Sequence, residues 1–131
     1  MSSQRQELKA VLRMNDSIKY IRIQWTDYPG VLRARFIPVA RCLEIASGSE
    51  TIHLAHNSMI IPISTAPRTF SLTNYHEIWF LRPGWSSLPP CGFQAGHATV
   101  MSFVGHKDAH TRFDKCLRML LFRTLKRLET E

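Results

Sequence analysis

The feature that most constrains this chain is a pair of alternating runs on either side of Asp27-Tyr28-Pro29-Gly30. From Ile18 to Thr26, Ile21, Ile23 and Trp25 point one way, with Lys19 at the edge, while Arg22 and Gln24 point the other. That period belongs to a half-buried strand. The turn residues suit a sharp reversal, since glycine takes positive φ freely and an aspartate side chain can bond the backbone ahead of it. From Val31 to Ile37 the alternation resumes, with Leu32, Ala34 and Phe36 set against Arg33 and Arg35. Two such runs across a short turn predict a β-hairpin.

Pro38 ends the second run and is placed to open a short helix, Val39 to Ala46, that Gly48 would stop. Before the hairpin, residues from about Ser3 to Met14 read as an amphipathic helix capped by Ser2 or Ser3, with Leu8, Val11 and Leu12 on one face. After it, strands are expected over Thr51 to Leu54, Met59 to Ile63, Glu77 to Leu81 and Ala98 to Val104. Loops rich in Pro, Ser, Thr and Asn separate them, notably Ser64 to Asn74 and Arg82 to Gly96, where Pro83-Gly84 and Pro89-Pro90 force an irregular path. The helical period returns from about Phe113 to Leu128, where Phe113, Leu117, Leu120, Leu121 and Leu128 form an apolar stripe. The order β-β-α-β-β-β-α implies a mixed sheet with helices on one face, an α+β fold. At 131 residues the chain suits one core. Its expected division is an N-terminal helix over 1–17, the sheet domain over 18–112 and a C-terminal helix over 113–131.

Composition excludes several classes. No apolar run approaches the roughly 18–20 residues that span a bilayer, and the polar start Met1-Ser2-Ser3-Gln4-Arg5-Gln6-Glu7 has no signal-peptide core after it. A cytoplasmic protein without membrane partners is expected. Cys42, Cys91 and Cys116 stand far apart, with none at Cys-x-x-Cys spacing, which fits free structural thiols. The net charge of +7 raises nucleic-acid binding. However, the basic residues gather on the last helix as Lys115, Arg118, Arg123, Lys126 and Arg127, without RNP-type aromatics or a recognition-helix pattern. A solvated helix face is the simpler reading.

The search for a catalytic set comes back empty. His53-x-x-His56 and His106-x-x-x-His110 offer paired rings, but no Cys, Asp or Glu completes either pair to the three or four ligands zinc requires. Residues three apart on a strand, as His53 and His56 would be, face opposite sides. The carboxylates Asp16, Asp27, Glu44, Glu50, Glu77, Asp108 and Asp114 show no acid–base pairing by spacing. No glycine-rich phosphate loop occurs. No catalytic, cofactor or metal residues are assigned.

Resemblance adds a family. The segment Ile21-Arg22-Ile23-Gln24-Trp25-Thr26-Asp27-Tyr28-Pro29-Gly30-Val31-Leu32-Arg33 through Ile37-Pro38 resembles the opening hairpin of the glutamine synthetase β-grasp domain, a strand ending in Thr-Asp-x-x-Gly followed by an Arg-bearing strand closed by Pro. Glu77 to Leu88 is similar to the family's Leu-x-Pro-Asp segment, and His97-Ala98-Thr99-Val100-Met101 to the strand after it. Cys116-Leu117-Arg118 resembles the Cys-Pro-Arg that opens the next helix. The likeness runs in order from roughly Ile18 to Leu128 and is nearest to the divergent fungal glutamine synthetase-like proteins.

The resemblance implies an N-terminal β-grasp domain of a glutamate–ammonia ligase, acting in glutamine biosynthesis through a γ-glutamyl phosphate. The family's Phe-Asp-Gly-Ser-Ser signature falls near Ala55-His56-Asn57-Ser58, so Asn57 and Ser58 are the implied ammonium-site wall between subunits. Three departures stand out: Asn57 brings no negative charge where the family has Asp, Gly84 replaces Asp, and Leu117 replaces Pro. The family's metal (Mg or Mn) and ATP sites lie in a larger catalytic domain with no counterpart here. The expectation is a truncated or stand-alone domain, inactive alone and binding no cofactor, associating with itself or with a full-length glutamine synthetase-like protein. The alternatives are a regulatory module that docks on such a relative through its hairpin, and a basic nucleic-acid-binding domain.

Overall fold

The computed structural model describes residues 3–55, 59, 78–86, 88–108 and 113–131. Its elements are α1 (Ser3–Met14), β1 (Tyr20–Thr26), β2 (Leu32–Pro38), α2 (Val39–Ser47), β3 (Ile52–Ala55), β4 (Ile78–Pro83), β5 (His97–Gly105) and α3 (Leu117–Thr130). The strands form a mixed sheet in the order β2-β1-β5-β4-β3. β1 runs antiparallel to β2 and parallel to β5, and β5–β4 and β4–β3 are antiparallel. This is an α+β, β-grasp-like fold. The sheet curls until its edge strands meet, since Arg35 Nη1 on β2 donates to the His53 carbonyl on β3 at 2.6 Å.

One face of the sheet carries the core. Ile21, Ile23 and Trp25 of β1 are buried there, as expected, together with Ala98, Val100 and Val104 of β5 and Trp79 and Leu81 of β4. Leu8 of α1 and Cys42, Ile45 and Ala46 of α2 close over them in one continuous cluster. Burying each large apolar side chain of this kind is worth about 1.5–3 kcal/mol. The α2 boundaries follow from local chemistry. Pro38 precedes the first turn at φ −59°, and Gly48 ends the helix at φ +87°, donating its N–H to the Glu44 and Ile45 carbonyls.

Three sequence expectations change. In β2 the alternation is real, yet its apolar set faces away from the core. Register pairs Trp25 with Arg33, Ile23 with Arg35 and Ile21 with Ile37, so the arginines share the core side, while Leu32 and Phe36 are exposed. The cause is the edge position: beyond β1 only Ile37 reaches a covered part of the core, and long arginine stems can lie along the rim with their charges outward. The last helix starts four residues later than the periodicity suggests. Phe113 is buried against Trp79 (ring centroids 5.2 Å apart), and Cys116 caps α3 by accepting from the Met119 N–H. Of the strand expected over Met59 to Ile63, only Met59 is described, and it is helical; the remaining four residues lie outside the described residues.

Candidate functional site

The site begins with Asp27. The hairpin turn closes through Gly30 N–H to the Asp27 carbonyl at 3.0 Å and Asp27 N–H to the Val31 carbonyl at 3.1 Å, with Gly30 at φ +90°. Those bonds draw the Asp27 side chain inward until it is 1% exposed. Buried carboxylates need partners. Oδ1 accepts from Val31 N at 2.8 Å and Oδ2 from Arg33 Nε at 2.7 Å. Both oxygens of this carboxylate are engaged within the hairpin, which makes it a structural group.

Because the turn is rigid, it organises one end of the sheet. Tyr28 N–H donates to the Met59 carbonyl at 2.8 Å. The Tyr28 hydroxyl donates to the Lys115 carbonyl at 2.5 Å. Burial, and then the nearby Cys116 thiol, push the Tyr28 phenol above its ordinary pKa, which keeps it a donor. The turn is thus bonded both to the residue that follows Asn57 and Ser58 and to the segment that leads into α3. A groove of about 280 Å³ lies between these pieces, with Trp25, Met59, Val104, Leu117 and Leu121 among its walls. Two atoms of its lining residues, Trp25 Nε1 and Ser102 Oγ, are buried without a hydrogen-bond partner among the described residues.

The implied wall residues Asn57 and Ser58 lie outside the described residues, as do His56 and His110. Of the histidine pairs only one member each is placed. His53 Nε2 sits 3.2 Å from Thr51 Oγ1, and His106 packs edge-on against Phe113. No three His, Cys, Asp or Glu side chains come together among the described residues. Gly84 donates its N–H to the Met101 carbonyl, and a Cβ there would lie 3.6 Å from that oxygen, an ordinary contact. The backbone therefore leaves room for a Cβ at this position.

Two of the three thiols, Cys42 and Cys116, are buried and structural, whereas Cys91 is partly exposed. Cys42 is fully buried beside the Ile37 carbonyl, and burial pushes its pKa up to about 12. Cys116 Sγ accepts from Val104 N at 3.3 Å as well as capping α3. On α3 several cations already have partners. Arg118 lies over Phe103, Lys126 over Phe122, and Arg123 pairs with Asp114 at 3.1 Å. The apolar stripe of α3 is uncovered, and the helix has no buried residue. No helix among the described residues is long and apolar enough to cross a membrane.

One grouping escaped the sequence. On the sheet face opposite the core, the Arg22 guanidinium lies over the rings of both Phe36 and Phe93, 4.6 Å from each centroid. Its Nε donates to His97 Nδ1 at 3.3 Å, and His97 in turn packs against Tyr20. The available signal was the Phe36–Arg22 cross-strand pair implied by hairpin register. Phe93 comes from the irregular loop, and nothing local marks it.

No protein-family profile matches the chain, and no curated protein matches it by sequence. Solved structures do. Apo GmaS without ligand superposes at a TM-score of 0.64 with 19% identity, over 90% of this chain and 25% of that one. The GmaS/ADP complex superposes at 0.64 with 19% identity, over 99% of this chain and 26% of that one. The chain spans about a quarter of the length of the structures it matches. Its fold is therefore that of one quarter of GmaS, a glutamine synthetase-like enzyme.

Proposed function

We propose that this chain is a glutamine synthetase-like N-terminal domain that supplies the inter-subunit wall of an active site for ATP-dependent ligation of ammonia to glutamate. The observation that carries the reading is the superposition over 90–99% of this chain on a quarter of a glutamine synthetase-like enzyme. The order of motifs from Ile18 to Leu128 supports it independently. In this reading Asn57 and Ser58, which precede Met59 in the chain, contribute the ammonium-site wall. Asn57 can accept or donate a hydrogen bond there but adds no charge to attract a cation. Among the described residues no three potential ligands come together, so no metal-dependent or phosphoryl step is assigned to them; the proposal is that the chain is inactive alone.

Two assays test this. The purified chain with ATP, magnesium, glutamate and ammonia should form no glutamine, and measurable ATP-dependent glutamine would overturn the inactivity. Added to a glutamine synthetase-like catalytic portion lacking its own sheet domain, the chain should restore turnover, and Asn57→Ala should weaken that rescue. Absence of any rescue removes the wall role.

A second reading, a module that docks on a full-length relative through its hairpin, gains support from the outward-facing Leu32 and Phe36 of β2. Copurification with a full-length relative is its test. Nucleic-acid binding through α3 has less support, since Arg118, Arg123 and Lys126 are engaged within the fold. Retention on heparin that falls steeply with salt would revive it.

A further inference from the structure

A soluble edge strand normally turns its apolar side chains to the core, and β2 does the reverse. Its outward face joins that of β1 and the loop before β5 in a patch of large exposed side chains: Phe93 at 75% exposure, Phe36 at 59%, Leu32 at 56% and Tyr20 at 44%. At its centre is a cation already held in position. Arg22 has its guanidinium plane against two phenyl rings and its Nε committed to His97. Among the described residues its two Nη groups have no hydrogen-bond partner. Arginine loses much of its binding advantage to the entropy of ordering a long side chain. Here the fold has ordered it in advance, leaving the fork edge that matches a carboxylate.

From this arrangement we infer that the outer face of the β1–β2 hairpin is a docking surface for a protein partner that presents an Asp or Glu carboxylate to Arg22. Arginine and aromatic side chains are the residues that dominate protein–protein hot spots, with the surrounding apolar ring excluding water from the central contact. Charge selects the partner. The chain carries a net +7, so an acidic surface is attracted, whereas a second copy of the same chain is repelled. The rings of Phe36 and Phe93 strengthen the carboxylate pair by shielding it from solvent. The inference names the partner chemistry for the docking reading above and does not depend on any role at the ammonium site.

The test needs no ATP and no second enzyme, so its outcome is separate from that of the wall reading. The full chain, labelled with ¹⁵N, is titrated with the peptide acetyl-Phe-Glu-Leu-amide, its Gln counterpart and free glutarate. The Arg22 Nε–H and the His97 amide are followed by NMR. The Glu peptide should shift both signals saturably and bind at least ten-fold more tightly than the Gln peptide. Arg22→Gln should abolish that preference. Phe93→Ala, at a highly exposed loop position, should weaken Glu-peptide binding several-fold with an unchanged unfolding midpoint. Equal affinity for the Glu and Gln peptides, absence of saturable shifts, or a preference that survives Arg22→Gln overturns the inference. Glutarate binding as tightly as the peptide also overturns it, because the site would then take free carboxylates without using the aromatic rim.

Discussion

Replacing Asp27 by alanine should be among the most damaging single substitutions available, and its cost can be assembled from the turn. The side chain is 1% exposed and makes two charged hydrogen bonds, to Val31 N at 2.8 Å and Arg33 Nε at 2.7 Å. A hydrogen bond to a charged group contributes about 1.5–3 kcal/mol, and a buried donor left without its acceptor costs about 1–3 kcal/mol. The Arg33 side chain is 28% exposed and can recover some hydration, so its share belongs at the low end. The two losses overlap, and about 3–4 kcal/mol is the resulting figure for Asp27→Ala. Asparagine keeps an oxygen for Val31 N but loses the charge opposite Arg33, so Asp27→Asn should cost about 1.5–2 kcal/mol. Urea unfolding followed by tryptophan fluorescence, with the slope checked for constancy, gives both numbers. A double-mutant cycle with Arg33→Ala should show coupling above about 0.5 kcal/mol. If Asp27→Ala unfolds within 0.5 kcal/mol of the unmodified chain, the turn is not held by this carboxylate and the reasoning fails.

Four further outcomes follow from the same structure. The Cys42 thiol, buried and raised to about 12, should be the last of the three cysteines alkylated by iodoacetamide at pH 8, after the part-exposed Cys91; comparable rates by peptide mass spectrometry would contradict its burial. Since its folded pKa lies above the ordinary value of 9.0, its contribution to stability is intact below pH 9 and is lost as the pH rises towards 12, which unfolding midpoints across that window will record. Gly48→Ala forces a side chain into φ +87° at the α2 C-cap and should lower stability by about 1–2 kcal/mol in thermal melts, although nothing crowds the position. Gly84→Asp, by contrast, has ordinary φ and an ordinary 3.6 Å contact, and should change the unfolding free energy by less than about 1 kcal/mol.

Local signals carried well because they depend on neighbours in the chain. The Asp27 to Gly30 turn, the stop at Gly48 and the burial of Ile21, Ile23 and Trp25 were all readable, each resting on backbone chemistry or on a period of two. Signals that depend on distant partners did not carry. The register slack before α3 arose because Phe113 fits the helical stripe yet is taken by Trp79, a residue 34 positions earlier, and Cys116 then serves as the cap. The Arg22 cluster was invisible because Phe93 enters from a loop whose path no periodicity describes. The candidate wall is legible only as Asn57 and Ser58 beside a motif, since both lie outside the described residues.

The sequence by itself determined that β2 has two chemically distinct faces, one of arginines and one of Leu32, Ala34 and Phe36. Only the tertiary structure decided which face looks inward, because alternation defines two sides of a strand but not the neighbour each side meets. Pairing with β1 sets the register, and that register places Arg33 against the buried Asp27. The ion pair and Ile37 then hold the arginine side towards the core, and the apolar side is left outward, with Leu32 and Phe36 more than half exposed.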